Sequence, residues 1–351
     1  MLKIDGLCVK LGRFALQNIN LEIEKGDYFI LVGPSASGKT VLLETIAGLN
    51  NTHGGQIWLS DRDITGLEPE KRKIAMVYQD CALFPHLTVE ENIVFGLKIR
   101  RKESAYIQAE LGRTVELLDI AHLLTRYPKN LSGGEKQKAA LARALVTNPE
   151  MMLLDEPLGA LDPQTREEIR QDILNLHREL NLTVLHVTHD FEEALTMGTH
   201  LAVIGGGAIM QVGKPLDVFR RPNSLFVARF TMAQNILAGN AYKSLDGRTI
   251  FEVDGNRFVA GTDMEGPCYA VIRPEDILIS DSFAEGVGDY THQALITHIV
   301  NKGSIVHVSA ELPPVLVCML TRHSLDRMNL SPGQQAYLTI PPSSVYLFRE
   351  D

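Results

Sequence analysis

Along the first two thirds of the chain, apolar positions fall in short continuous runs separated by helix-favouring polar stretches. Tyr28-Phe29-Ile30-Leu31-Val32, Met151-Met152-Leu153-Leu154 and Thr183-Val184-Leu185-His186-Val187 are three such runs. A strand that is apolar at consecutive positions, not merely at every second one, predicts a sheet covered on both faces. Their alternation with helical patterns over residues 1–235 predicts an α/β core. Between the first two runs, a polar stretch from about Leu87 to Thr147 is long enough for an inserted helical subdomain. The apolar segments Leu201–Ile204 and Ala208–Val212 flank Gly205-Gly206-Gly207, which predicts a hairpin turn there, not a linker.

From Asn235 onward the pattern changes to short β-branched segments separated by turn signals such as Asp254-Gly255-Asn256 and Ser331-Pro332-Gly333. This predicts a small β-barrel over 236–351. A length of 351 residues accommodates two such units, and 45% hydrophobic with 22% charged residues excludes a disordered or fibrous chain. No run approaches the ~18 apolar residues of a spanning helix, and Met1-Leu2-Lys3-Ile4-Asp5 opens no signal-peptide core, so a cytoplasmic location is expected. Cys8, Cys81, Cys268 and Cys318 form no CxxC pair and are expected as reduced packing thiols. A net charge of -9 argues against general affinity for nucleic-acid backbones, so a bound phosphate should be held by a specific site.

That site is predicted at Gly33-Pro34-Ser35-Ala36-Ser37-Gly38-Lys39-Thr40, which follows one predicted strand and opens a predicted helix, as a phosphate-binding loop requires. Small residues let backbone N–H groups close around phosphate oxygens. Lys39 adds a cation near the β- and γ-phosphates, Thr40 can ligate Mg²⁺, and the helix N-terminus favours an anion. Val41, the next helical residue, belongs to the same nucleotide-contacting set. The second apolar run ends in Asp155-Glu156, which resembles a Walker B segment: Asp155 would orient the metal, directly or through water, and Glu156 would act as general base. Taken alone, the pair reads equally well as two solvated acids at a strand end. Leu131-Ser132-Gly133-Gly134-Glu135-Lys136-Gln137 lies some twenty residues before that pair. Ser132 and Glu135 have the spacing of a capping box for a helix running to Leu145. A capped N-terminus with two glycines also suits contact with a γ-phosphate, and capping by itself does not predict the double glycine.

With these motifs in this order, residues 1 to about 235 resemble the nucleotide-binding subunits of ATP-binding-cassette (ABC) transporters. The resemblance implies that Gln79 contacts Mg²⁺ or the lytic water and couples the site to a transmembrane partner. It also implies that Gly159-Ala160-Leu161-Asp162 is the D-loop and that His189 is the switch histidine near the γ-phosphate. Outside that context, a lone histidine after a strand is more often structural. In such proteins Ser132, Gly133, Gly134 and Glu135 of one subunit complete the ATP site of the other, which implies a head-to-tail homodimer. Two positions depart from the common pattern. Glu135 replaces the usual Gln while keeping the cap, and Leu11 stands where an adenine-stacking aromatic is usual. Phe14 either stacks on the base instead or is a core residue.

A single cassette with neither fused membrane helices nor a coiled coil resembles an importer subunit, held on the cytoplasmic face of the membrane through a separate permease. Exporters and soluble cassette proteins acting on nucleic acid or the ribosome are the competing classes. The surface between Gln79 and Leu97, with Phe84-Pro85-His86 and Glu90-Glu91-Asn92, would then receive the permease, or else be an ordinary loop leading into a helix. Ile272-Arg273-Pro274-Glu275-Asp276-Ile277 resembles the motif of the oligomer-binding-type β domain appended to importer ATPases. From Ile236 onward 8 Lys and Arg face 14 Asp and Glu, which disfavours an RNA-binding barrel and favours a regulatory domain. Length and domain size resemble molybdate or tungstate importer subunits, whose cargo an external substrate-binding protein delivers. Sulfate or thiosulfate, iron(III), polyamine and sugar are the alternative cargoes. Lys302-Gly303-Ser304 is a candidate contact for a regulatory oxyanion, with a plain β-turn as the alternative.

Overall fold

The structure, a computed structural model, describes residues 1–282 and 290–350. Internal contacts divide the chain into two units, Met1–Pro215 and Leu216–Asp351. The strands of the first are β1 (Leu2–Leu11), β2 (Phe14–Ile23), β3 (Tyr28–Val32), β4 (Gly54–Leu59), β5 (Arg62–Asp63), β6 (Ile74–Val77), β7 (Met151–Asp155), β8 (Thr183–Thr188), β9 (His200–Gly205) and β10 (Ala208–Gly213). Its helices are α1 (Lys39–Ala47), α2 (Val89–Ile99), α3 (Ser104–Leu118), α4 (Gly133–Leu145), α5 (Pro163–Leu180) and α6 (Phe191–Met197).

The apolar runs become β3, β7 and β8, buried at every position and adjacent in a sheet of order β10-β9-β3-β8-β7-β6. All neighbours in it are parallel except the β9–β10 hairpin, whose turn has Gly206 at φ 56 and Gly207 at φ 82. Two consecutive positive φ values match the twist of a tight hairpin and suit glycine. A second, antiparallel sheet has the order β2-β1-β4-β5. Leu42, Leu43 and Ile46 of α1 fill the space with Phe29 and Leu31 of β3 and Leu7 and Ile19 of the antiparallel sheet. Each such fully buried side chain contributes about 1.5–3 kcal/mol. Between β6 and β7 the chain leaves the sheet and forms α2, α3 and α4, which pack on one another.

Register positions the site. Val32 pairs with Thr188, Val187 with Asp155, and Leu154 with Val77. The segments that carry Gly33, His189, Glu156 and Gln79 therefore emerge side by side from the carboxyl edge of one sheet, the usual place for a ligand in an open parallel sheet.

The second unit opens with α7 (Pro215–Arg220) and α8 (Leu225–Phe230). Strands β11 (Asn235–Lys243), β12 (Thr249–Val253), β13 (Asn256–Ala260), β14 (Gly266–Ile272), β15 (Leu278–Ser280), β16 (Thr291–Asn301), β17 (Ile305–Glu311) and β18 (Val315–Thr321) follow. Helix α9 (Arg322–Met328), β19 (Gln335–Thr339) and β20 (Val345–Phe348) complete it. The expected barrel takes the form of two five-stranded antiparallel sheets, β13-β12-β11-β14-β20 and β15-β19-β16-β17-β18, closed over one core that includes Phe251, Phe258, Ile296 and Leu338. Arg273 is buried at the end of β14, its guanidinium 3.7 Å from the centre of the Phe219 ring and 2.8 Å from the Thr231 carbonyl to which it donates. It also donates to Thr231 Oγ1 at 2.9 Å and to the Phe219 carbonyl, so the segment before β11 is anchored to this unit's own sheet. All four cysteines are free thiols, and no helix among the described residues is long and apolar enough to cross a membrane.

Candidate nucleotide site

The turn between β3 and α1 is shaped by close approach. Gly38 caps α1 at φ 103, and a Cβ there would sit 2.5 Å from Phe14 Cζ and 2.7 Å from Leu16 Cδ2. At Gly33 a Cβ would meet the Ile204 carbonyl oxygen at 2.3 Å. Only glycine fits either place. The loop borders a cavity of about 380 Å³ formed by residues 35–41 together with Leu11, Phe14 and Glu156. Lys39 is 6% exposed and curls back, its ammonium donating to the carbonyls of Gly33 at 2.8 Å and Pro34 at 3.0 Å. Burial pulls its pKa below the ordinary lysine value, with Glu156 and Asp155 partly offsetting that shift. The Ser37 hydroxyl is buried without a hydrogen-bond partner among the described residues. An orphaned buried donor in a turn that borders the cavity fits a site built for phosphate oxygens.

Leu11 and Phe14 are paired across the β1–β2 hairpin, which brings both to the rim of the cavity. Phe14 is half-buried: it lines the cavity and also packs on the core.

At the strand ends the acids and their partners converge. Thr40 Oγ1 donates to Asp155 Oδ2 at 3.0 Å, joining α1 to β7. Burial pushes the Asp155 carboxyl above its ordinary range; the Thr40 hydrogen bond opposes this, and Glu156 and Glu44 add to it. Glu156 is itself left-handed at φ 45, with its N–H donating to the Val187 carbonyl at 2.9 Å. Its Oε2 lies 3.2 Å from His189 Nδ1. A Cβ built on Gly159 would be 3.5 Å from both Gln79 Nε2 and Glu156 Oε2, so those side chains share the space above that glycine. The structure thus brings together residues 33–41, Phe14, Asp155, Glu156, Gln79 and His189.

It does not bring the signature segment to the same cavity within one chain: Ser132, Gly133, Gly134 and Glu135 do not line it. They begin α4 with the expected capping box, Ser132 Oγ accepting from the Glu135 N–H at 3.3 Å and Glu135 Oε2 from the Ser132 N–H at 2.7 Å. Glu135 Oε1 also pairs with Arg126 at 3.2 Å, a contact a glutamine could not make as an ion pair. Gly134 is buried against α5, where a Cβ would come 2.5 Å from Thr165 Cγ2, while Ser132 and Gly133 are exposed. Asp162 caps α5 by accepting from the Thr165 N–H at 3.1 Å and is otherwise exposed.

Two other expectations change on contact with the structure. Asn92 is fully buried, clamping the Phe84 backbone through bonds of 2.8 and 3.1 Å, so it is withdrawn from the exposed surface between Gln79 and Leu97. At Lys302-Gly303-Ser304 two of the three backbone N–H groups are engaged within the turn: Lys302 donates to the Ile305 carbonyl at 2.9 Å and Gly303 to Asn301 Oδ1 at 2.9 Å. Those bonds, with Gly303 at φ 92, make the segment a hairpin turn between β16 and β17.

Residues 16–159 match the family model described as ABC transporter, and residues 270–348 match that of the TOBE domain. The chain is 40% identical to the molybdate/tungstate import ATP-binding protein WtpC of Pyrococcus horikoshii, across 99% of this chain and 100% of that protein. The chain belongs to the ATP-binding subunits of ABC importers. It is 36% identical to the Fe(3+) ions import ATP-binding protein FbpC of Fusobacterium nucleatum, across 100% of this chain and 94% of that one. A dimeric ATP-binding cassette solved in a post-hydrolysis state with ADP and Pi bound is 29% identical, with TM-score 0.55, 61% of this chain and 99% of that chain being covered. As an importer ATPase the chain binds ATP and hydrolyses it to ADP and phosphate to drive uptake. Several residues that shape this cassette carry no motif signal. Arg72 and Arg143 are buried or half-buried cations that donate to backbone carbonyls, and His186 is a fully buried imidazole beside Tyr28 and Glu193.

Proposed function

We propose that this importer ATPase energises uptake of molybdate or tungstate, working as a head-to-tail homodimer on the cytoplasmic face of a separate permease that an external binding protein supplies. The observation that carries the cargo reading is the 40% identity to a molybdate/tungstate import protein along essentially the full length of both chains, β domain included. Iron(III) is the second reading, because the 36% identity to an iron importer subunit also spans the whole chain.

In the proposed cycle, the N–H groups of residues 35–41 and the Lys39 ammonium hold the phosphates, and Phe14 with Leu11 takes the base at the cavity rim. Thr40 Oγ1 and the Asp155 carboxylate, 3.0 Å apart, fit Mg²⁺, which favours one or two protein oxygens plus substrate phosphates; with Gln79 they would hold it, and it would neutralise developing phosphate charge. Glu156 accepts the proton of the attacking water, and His189, 3.2 Å away, orients that carboxylate and the γ-phosphate. Ser132, Gly133 and Gly134, absent from the chain's own cavity, serve the partner's ATP, with Glu135 fixing their helix and Asp162 lying at the joint. ATP then draws two subunits together, and loss of the γ-phosphate weakens the bridge. A regulatory oxyanion on the β domain belongs to the same proposal.

The test is uptake in cells of the source organism lacking this chain. Loss of tungstate and molybdate uptake, restored by the wild type and not by Lys39→Ala, is the expected result. Normal oxyanion uptake with impaired iron(III) uptake would transfer the assignment to iron. Calorimetric titration of the purified chain with molybdate and tungstate, against sulfate and phosphate at constant ionic strength, tests the regulatory part; absence of saturable binding removes it.

A further inference from the structure

The segment that leaves β6 after Gln79 turns through two consecutive non-glycine residues in the left-handed region, Cys81 at φ 61 and Ala82 at φ 43. L-residues resist that conformation, and a pair of them persists only where the surroundings over-determine it. The restraint comes from α4, the helix whose N-terminus carries Ser132–Gly134. Arg143 Nη2 donates to the Cys81 carbonyl at 2.7 Å and Nη1 to the Ala82 carbonyl at 2.6 Å, so one planar fork fixes both peptide groups. Gln137, on the same helix and 2% exposed, accepts from the Cys81 thiol at 3.0 Å. The Arg143 guanidinium also lies 5.7 Å from the centre of the Phe84 ring, and Asn92 of α2 grips the Phe84 backbone. The left-handed turn is thus held at two points, both on the helix of the signature, and Phe84 just beyond it is held by α2.

We propose that Arg143 is a positioning residue for ATP hydrolysis: by clamping the Cys81-Ala82 turn it keeps Gln79 beside Glu156, and it ties every displacement of Gln79 to the helix that bears Ser132. The proposal rests on the role proposed above for Gln79. Arg143 does not line the nucleotide cavity, so its effect reaches the reaction only through the turn.

The experiment compares turnover and equilibrium ATP binding of the full-length chain with those of Arg143→Lys, which keeps the charge but has no fork to bridge two carbonyls. Turnover should fall roughly tenfold or more while ATP affinity holds, since misplacing a reacting group by about 1 Å costs on that scale. Adding Ala82→Gly should restore part of the lost turnover, because glycine adopts φ 43 without steric cost and Ala82 is exposed. A merely structural arginine would give a lower unfolding temperature that Ala82→Gly does not convert into activity. Gln79→Ala, alone and combined with Arg143→Lys, separates the two readings. Full activity of Gln79→Ala removes the Gln79 role and the clamp's purpose with it. Losses that multiply in the double variant, or parental turnover in Arg143→Lys, overturn the clamp and leave Gln79 standing. Should Arg143→Lys not fold, Gln137→Met releases the same turn from its other point, and unchanged turnover there overturns the proposal equally.

Discussion

Glu156 and Asp155 are neighbours in sequence with opposite surroundings, and their chemistry divides accordingly. Glu156 reaches into the cavity beside His189. Glu156→Gln keeps the side chain's shape and removes its proton-accepting capacity. We expect ATP binding to persist, a closed dimer to accumulate on size-exclusion chromatography with ATP, and turnover to fall at least ~100-fold; appreciable turnover would reassign the base. Asp155 is 6% exposed and its carboxyl is held above the ordinary range by burial. A group that binds its proton more tightly when folded lowers stability as pH rises from the ordinary carboxylate range through its raised value, and the penalty is complete above that. Asp155→Asn should therefore raise the unfolding temperature at neutral pH in chelator without nucleotide, lose that advantage in acid below the ordinary carboxylate range, and abolish turnover. Both acids were legible in the sequence as the charged pair that follows an apolar run after a phosphate-binding loop, although the strand takes in Asp155 and buries it. Arg143 was not, because its acceptors are backbone carbonyls some sixty residues away, and a carbonyl leaves no letter in a sequence.

Elements follow the same division between visible and hidden causes. The continuous apolar runs specified a sheet covered on both faces, the glycine triplet a hairpin, and Ser132 with Glu135 the start of α4, since each signal and its consequence lie within a few residues. The end of α1 depends on something distant. Arg72, 2% exposed, donates to the Thr45 and Ile46 carbonyls at 2.9 Å each, to Leu67 at 2.8 Å and to Thr65 at 2.9 Å. One cation thereby joins the Gly48 N–H at the Thr45 carbonyl, adds a donor to that of Ile46 at the negative end of the phosphate-loop helix, and fastens both to the turn before β6. Arg72→Met would remove these charge-assisted bonds and should cost about 3 kcal/mol or more, because hydrogen bonds to a charged group are each worth about 1.5–3 kcal/mol. Chemical denaturation measures that loss, and a cost within 0.5 kcal/mol, about that of an ordinary surface change, would contradict it.

At the scale of the whole molecule, the order of motifs made the cassette readable and, through the resemblance it carried, raised the expectation of a site shared between two subunits; the geometry adds that Ser132–Glu135 do not line the chain's own cavity. The second unit was readable as a change of texture at Asn235 and as the motif at 272–277, but not in its strand order, since pairing among short segments is decided by contacts far apart in sequence. What that texture could not reveal is the anchorage of the preceding segment, where Arg273 lies against Phe219 and Thr231 within the unit that starts at Leu216. Burial pulls the Arg273 pKa down to about 10, so the guanidinium stays charged at neutral pH and depends on those partners. A C-terminal fragment starting at residue 216 should fold cooperatively by circular dichroism. One starting at Ile236 should melt earlier or aggregate, and equal melting of the two would contradict this. The module therefore carries its own tether. Recombination between related importers that joined them at Asn235 would deliver a domain without its fastening, whereas a junction at Pro215 would deliver one ready to be inherited as a piece.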